Sequence, residues 1–278
     1  MRPPRILVVY KRSPLIDAGT SAAASSDRFQ SNHSCHYETL KAITHFLRQE
    51  GLAFSQHLRG VHAAHNIYDI IITVGGDGTF LDAGRRSTEK QLIIGVNSDP
   101  SWSVGQFCVA NSLTFPEIFK RTLTRPRFRK LYKLELKFPG GNVLRCLNDV
   151  LICHANPAAM SRYTITVGKK SEFHRSSGLW ISSAAGATGA IASAGGQEMP
   201  LESRLIQYKP RELYRAPSGR RDYRMTGGTV LPSKTIEITS RMPHGRVYCD
   251  GAHLKYPLTF STTLQIASSS HFVRMVHA

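Results

Sequence analysis

The sequence is poor in cysteine: Cys35, Cys108, Cys146, Cys153 and Cys249 are all it has in 278 residues. They are odd in number and widely spaced, with no C-x-x-C pair, which argues against a disulfide framework and for reduced thiols in an intracellular protein. His33-Ser34-Cys35-His36 groups metal-ligating residue types in a polar loop, but no second ligand pair accompanies it and no zinc site is expected. Long apolar runs are missing too. No stretch of about 18 uninterrupted apolar residues occurs, so a membrane-spanning helix is not expected. Ile6 to Tyr10 is too short for a signal-peptide core and reads as a first strand. Acidic residues are scarce, 19 against 36 basic ones, for a formal net charge of +17. Such an excess favours anionic partners. The basic residues are nevertheless dispersed, without a run of five and without the interleaved aromatics of a nucleic-acid platform. Neither a nucleic acid nor a membrane is an expected partner. What remains, 41% hydrophobic and 20% charged, is a globular composition with length for one large domain or two modest ones.

The first third alternates between strand and helix. Ile6 to Tyr10 is followed by a Ser- and Ala-rich stretch, Lys11 to Ser34, that reads as a long mobile loop. Leu40, Ile43, Phe46 and Leu47 then give the stretch Tyr37 to Glu50 an amphipathic helical pattern closed by Gly51. Tyr68 to Val74 is a β-branched run, Thr79 to Arg86 is helical, and Gln91 to Val96 is a further short strand. That order predicts an open parallel sheet with helices on its faces. From about residue 128 the pattern turns to β. Leu131 to Phe138, Val143 to Cys153, Tyr163 to Val167, Leu179 to Ser183, Thr235 to Thr239 and Arg246 to Cys249 are strand-like. A small-residue helix, Gly186 to Ser193, interrupts them. The expected organisation is an α/β domain over 1–125 and a β-rich domain over 126–256. The segment 257–278 is read as returning to the first, and ligand is expected in the cleft between the two.

Val74-Gly75-Gly76-Asp77-Gly78-Thr79 is the most informative hexapeptide. Glycines let backbone approach a polyanion, and a helix N-terminus after them makes an anion cradle. Thr79 adds a hydroxyl. An aspartate in a phosphate nest repels the ligand, so Asp77 calls for a job of its own, as general base or as a contact to metal on the phosphates. The plainer reading is a tight turn with Asp77 as helix N-cap. The place of the loop, after a buried parallel strand and before a helix, is the ligand edge of such sheets.

Gly75-Gly76-Asp77-Gly78-Thr79 resembles the signature of the NAD kinase family, which is shared with diacylglycerol kinases, sphingosine kinases and 6-phosphofructokinases. Cys146-Leu147-Asn148-Asp149-Val150 resembles the Asn-Glu/Asp motif of NAD kinases, and Ser177 to Gly196 resembles their long Gly-rich segment. Weaker similarity runs from residue 6 to about 255, and it looks closest to the plant-type NADH kinase branch. The resemblance implies a two-domain NAD kinase-like fold and an enzyme that moves the γ-phosphoryl of ATP to the 2′-hydroxyl of the adenosine ribose of NAD⁺ or NADH. Asp77 would be the catalytic base. Gly75, Gly76, Gly78 and Thr79, with Mg²⁺ carried by ATP, would hold the phosphates. Asn148, Asp149, Arg162, Arg175, Ser177, Thr188, Gly189 and Ser193 would contact the nucleotides. No carboxylate cluster suggests a metal cage made by the protein alone. The resemblance also implies homodimers or tetramers, and a cytoplasmic location is expected, with an organelle left open.

Two positions depart from the family pattern. Ser177 stands where a carboxylate is usual, so the negative charge that would meet a cationic oxidised nicotinamide is absent, which implies a relative preference for NADH. Gly189-Ala190 replaces the usual Ala-Tyr and removes an aromatic stacking surface. Two alternatives share the Gly-rich loop. A lipid kinase would need an acyl pocket and no Asn148-Asp149, and a non-catalytic dinucleotide sensor would need no base.

Overall fold

The computed structural model describes residues 2–13, 27–61, 64–101, 103–215 and 223–277, with backbone alone at 27–29. It divides the chain into two compact units, Met1–Lys130 with Val273–Ala278, and Leu131–Phe272.

The first unit is built from β1 (Ile6–Tyr10), α1 (Asp27–Gln49), β2 (Phe54–Leu58), β3 (Ile70–Gly75), α2 (Asp77–Arg86), β4 (Leu92–Asn97) and α3 (Phe115–Thr124). Its sheet runs β2-β1-β3-β4, all parallel, with Ile6 opposite both Phe54 and Ile70, and Ile70 opposite Leu92. Parallel strands need covered faces, and the β-branched runs of β1, β3 and β4 are buried throughout. Ile6, Val8, Ile72, Val74, Ile94 and Val96 pack with Leu40, Ile43 and Leu47 of α1 and Phe115, Ile118 and Phe119 of α3. Helix α2 buries Phe80 and Ala83, and the Phe80 ring stacks on Phe107 at 5.2 Å. The first helix begins ten residues earlier than its apolar pattern predicts. Its buried stripe continues through polar Asn32, His36 and Thr39, so apolar periodicity alone cannot find it. Residues 33–36 are therefore helical, while 14–26 of the expected loop lie outside the described residues.

The second unit contains β5 (Phe128–Lys137, beginning in the first), β6 (Val143–Cys146), β7 (Asp149–His154), β8 (Ser161–Val167), β9 (Lys170–Ser176), β10 (Gly178–Ser182) and α4 (Ala190–Ser193). After them come β11 (Ile206–Arg211), β12 (Gly228–Val230), β13 (Thr235–Ser240), β14 (Gly245–Cys249), β15 (Leu254–Pro257) and β16 (Thr263–Val276). One antiparallel sheet runs β12-β11-β10-β7-β14-β15, and another set joins β16, β13, β8 and β9, with β5 beside β16 and β6 beside β5. Ile152, Leu179, Ile181 and Val247 of the first set share one core with Tyr163, Ile165, Ile236, Ile238, Leu264 and Ile266 of the second. Period-2 alternation produces this: along β13, Ile236, Ile238 and Ser240 are buried and their neighbours are not. Helix α4 is only four residues long, because Ala185 to Gly189 form turns where Ala-rich sequence suggests a longer helix. The last strand ends in the first unit, where Arg274 and Met275 pair with Leu92 and Ile93 in parallel.

Candidate active site

In the first unit the Gly-rich loop sits at the carboxyl end of β3. Gly76 is the N-cap of α2 and Asp77 its first residue, so Asp77 is inside the helix and not the cap. The glycines are required by contacts. A Cβ on Gly75 would lie 2.3 Å from Thr79 Oγ1, and one on Gly76 would lie 2.4 Å from Ser103 Oγ. Thr79 turns inward beneath Gly75, and its buried hydroxyl has no hydrogen-bond partner among the described residues. The N–H groups of Asp77 and Gly78 lead the helix, where first-turn donors lack intrahelical acceptors and the macrodipole favours an anion.

Asp77 is half-buried, and its Oδ1 accepts the Phe107 N–H at 2.9 Å. Phe107 is itself fixed: its carbonyl crosses β4 so closely that a Cβ on Gly95 would stand 2.1 Å from it, and Ala110 bridges Val96. Oδ2 has no hydrogen-bond partner among the described residues. A carboxylate pinned by one oxygen and open at the other can take a proton from a donor in a defined direction. Behind the loop lies Cys108, its Sγ 3.9 Å from the Gly75 carbonyl. Burial, and then Asp77, pushes that thiol up to about 12, so it is no nucleophile at neutral pH. His36 and Cys35 are both engaged in hydrogen bonds within the fold. The two His36 ring nitrogens meet Ser98 Oγ and the Lys11 carbonyl, each at 2.9 Å, and Cys35 Sγ donates to the Ser98 carbonyl at 3.2 Å.

In the second unit the strand-like run Val143 to Cys153 breaks at Leu147-Asn148, and the break is built. Asp250, in the left-handed region at φ 48°, accepts the N–H of Leu147 on both oxygens and that of Asn148 at 2.7 Å. Its own N–H donates to the Asp149 carbonyl at 3.0 Å. Asp-Gly at a strand end is an ordinary turn signal, so the sequence alone does not single out Asp250. From the other side, Ser183 donates its hydroxyl to the Leu147 carbonyl and its N–H to the Asn148 carbonyl. A Cβ on Gly186 would lie 2.2 Å from that same carbonyl. Asn148 Nδ2 donates to Asp149 Oδ2 at 3.0 Å, and Gly189 comes close to both side chains. Asp149 is only 6% exposed. Burial first, and Asp250 second, raise its carboxyl to about 7 against the opposing Asn148 bond.

The structure thus brings together Asn148, Asp149 and Gly189, with Thr188 exposed on the same turn. Ser193 lines a pocket of about 500 Å³ with Trp180, Pro210, Arg211 and Glu212. Trp180 also lines an apolar pocket of about 250 Å³ bounded by Asp149, Leu151 and Tyr248. Aromatic walls therefore flank Asp149 although Gly189-Ala190 offers none. They could have been found in the sequence as alternate outward positions of β10 and β14. Arg162 and Arg175 oppose each other on β8 and β9. The Arg175 guanidinium lies 4.6 Å from the Tyr214 ring centroid and Nε donates to Met160 Sδ. No hydrogen bond or ion pair among the described residues joins either arginine to Asn148 or Asp149. Ser177 is half-buried between β9 and β10, with its N–H on the Arg211 carbonyl at 3.0 Å.

Residues 8–108 match the model of the ATP-NAD kinase N-terminal domain. A "Probable NADH kinase" of rice is 30% identical over 266 residues, covering 87% of this chain and 81% of the relative. An NADH kinase of Arabidopsis thaliana is 32% identical over 226 residues, 73% of this chain and 70% of its own length. Among solved structures, an NAD kinase from Archaeoglobus fulgidus in complex with ATP aligns at a TM-score of 0.72 and 19% identity, over 98% of this chain and 92% of the other. Yeast NADH kinase complexed with NADH aligns at 0.76 and 14% identity, over all of this chain and 84% of the other. The structural likenesses carry the fold, and the rice relative carries the kinship across both units. With the Gly75–Thr79 loop, the Asn148-Asp149 turn and identity of this extent over four fifths of a relative's length, the chain belongs to the NAD kinase family.

Proposed function

We infer that this chain transfers the γ-phosphoryl group of ATP to the 2′-hydroxyl of the adenosine ribose of NADH or NAD⁺, giving NADPH or NADP⁺. The observation that carries the reading is Asp77: one oxygen pinned by the Phe107 N–H, the other open, at the head of a helix behind a Gly-rich strand end. In the reaction the hydroxyl proton passes to Asp77, the ribose oxygen bonds to Pγ, and the bond from Pγ to the β,γ-bridging oxygen breaks to release ADP. The donor enters as its Mg²⁺ complex. The open N–H groups of Asp77 and Gly78 stabilise charge on the transferring phosphoryl.

Asn148 and Asp149 would take the hydroxyls of a ribose, and the aromatic walls at Trp180 and Tyr248 would take a flat ring. Ser177 hydrogen-bonds without adding negative charge, which favours the neutral reduced nicotinamide. The reading includes assembly as a homodimer or tetramer, checked by light scattering.

Incubation with ATP and Mg²⁺ and, in parallel, NADH, NAD⁺ or diacylglycerol tests it. Phosphorylated dinucleotide is expected. A phosphorylated lipid, or dinucleotide binding without any turnover, would overturn it in favour of a lipid kinase or a sensor.

A further inference from the structure

Each of the four parallel strands in the first unit hands over to a charged residue just past its carboxyl end: Arg59 after β2, Lys11 after β1, Asp77 after β3 and Asp99 after β4. The sheet order β2-β1-β3-β4 sorts them by sign, two cations side by side and then two acids. This is the edge at which open parallel sheets bind ligands. The acids are engaged within the protein. Asp77 takes the Phe107 N–H, and Asp99, 5% exposed, takes the Asn32 amide and the Ser101 hydroxyl. Neither cation forms an ion pair with a described carboxylate.

Both cations stand where an unliganded charge is disfavoured. A Cβ on Gly78 would lie 2.9 Å from Arg59 Nη1, so the guanidinium rests against the first turn of α2. A helix N-terminus repels a cation. Lys11 is half-buried, and burial lowers its ammonium below the usual range. Arg59 adds to that effect, while Asp99 opposes it. A polyanion between the two would relieve both penalties. The backbone holds them in place. Arg59 N–H donates to the Tyr10 carbonyl at 2.7 Å, and His36 Nε2 lies 2.9 Å from the Lys11 carbonyl. Burial pushes His36 down to about 4, so the ring is neutral. It then donates from Nε2 to Lys11 and accepts the Ser98 hydroxyl at Nδ1, tying the end of β1 to the end of β4.

We propose that Lys11 and Arg59 grip the phosphate oxygens of the donor triphosphate. The proposal deepens the kinase reading above and rests on it. An ammonium suits a point contact and a guanidinium a forked one.

Calorimetric titration of the wild type, Arg59→Gln, Lys11→Met and Lys11→Arg with MgATP and with inorganic tripolyphosphate tests it, alongside NADH binding followed by fluorescence. Charged hydrogen bonds of this kind lead us to expect about 10- to 100-fold weaker binding of both anions in Arg59→Gln and Lys11→Met. NADH affinity should hold, the KM for ATP should rise while that for NADH stays, and Lys11→Arg should recover part of the loss. Wild-type affinity for tripolyphosphate in the variants, or equal losses for ATP and NADH, would overturn the proposal. Should Lys11→Met fail to fold, Arg59→Gln decides alone, since that side chain is exposed. A wild type that binds neither anion overturns the kinase reading as well, whereas a wild type that binds both and is matched by its variants overturns this inference only.

Discussion

Each unit presents one aspartate at its most constrained turn, and the two are held in opposite ways. Asp77 opens a helix, half-buried, with a single backbone donor on one oxygen and the other oxygen open. Asp149 opens a strand, is nearly sealed, shares its surroundings with Asp250, and has its carboxyl raised to about 7. The helix N-terminus beside Asp77 favours an anion. Burial and a like charge beside Asp149 disfavour one. An acid meant to receive a proton during a reaction must be reachable and ready when substrate arrives, and Asp77 satisfies that. A buried acid at the edge of its titration suits recognition, since a bound hydroxyl pair can restore the hydration it has lost. The comparison separates chemistry from recognition, and substitutions at the two sites should separate in the same way.

The sharpest break comes from Asp77→Asn. It keeps the acceptor for the Phe107 N–H and removes the proposed base, so turnover should fall by about 10²–10⁴ while the melting temperature and ATP affinity stay near wild type. Steady-state kinetics beside a thermal melt checks this. Full turnover in the asparagine variant would end the assignment of roles.

Asp149 should show itself through pH. Its folded pKa of about 7 lies above the ordinary 3.8, so the folded state binds the proton more tightly than the unfolded one. That contribution to stability is complete below about pH 4, declines as pH rises towards 7, and is gone above it. Asp149→Asn has no such decline. Its advantage over wild type should therefore grow between pH 4.5 and 8, to at most a few kcal/mol, since one pKa unit corresponds to about 1.4 kcal/mol. Urea midpoints at the two pH values measure it. Ligand binding should follow the other sign in wild type, with dinucleotide affinity rising through pH 7 as the carboxylate forms. Parallel pH curves for wild type and Asp149→Asn would remove the contrast with Asp77.

The two sites were unequally legible in the sequence. The Gly75–Thr79 loop is local: a β-branched run, three glycines and a helical pattern lie within about twenty residues, and the structure has the same strand, turn and helix. The turn at Asn148 depends on partners far along the chain. Asp250 is 102 residues away and Ser183 is 35, and neither has a local pattern that reveals the bond it makes. Lys11 and Arg59 were missed for a related reason. Each is one basic residue after a short strand, and β2 itself, half-buried except at exposed Gln56, carries too weak a pattern to be predicted. Asn32 and His36 lengthen α1 with polar residues on its buried stripe, where an apolar count finds nothing.

A smaller effect tests how the second unit holds its turn. Gly186→Ala would put a methyl 2.2 Å from the Asn148 carbonyl, which backbone bonds to Ser183 and Asp250 prevent from yielding. Overpacking of this kind costs about 1–3 kcal/mol. Loss of dinucleotide affinity with retained tripolyphosphate affinity is the expected pattern, because the first unit is untouched. Equal loss of both would mean that the two sites are not independent.

The smallest expected effect concerns which dinucleotide is used. Ser177 places a hydroxyl, and no charge, at the junction of β9 and β10, where its N–H is already committed to Arg211. Ser177→Asp adds one negative charge without changing that backbone bond. Near a surface, at an effective dielectric constant of about 20, a unit charge several ångströms from an oxidised nicotinamide is worth about 1–2 kcal/mol after solvent screening, or about tenfold in relative specificity. The ratio of kcat/KM for NAD⁺ to that for NADH should therefore rise about tenfold in the variant relative to wild type. Because the added charge acts on the ring and not on the ribose, the KM for ATP and the pH response of Asp149 should not move. An unchanged ratio would place the nicotinamide away from Ser177 and leave recognition of the ring to the walls around Trp180 and Tyr248.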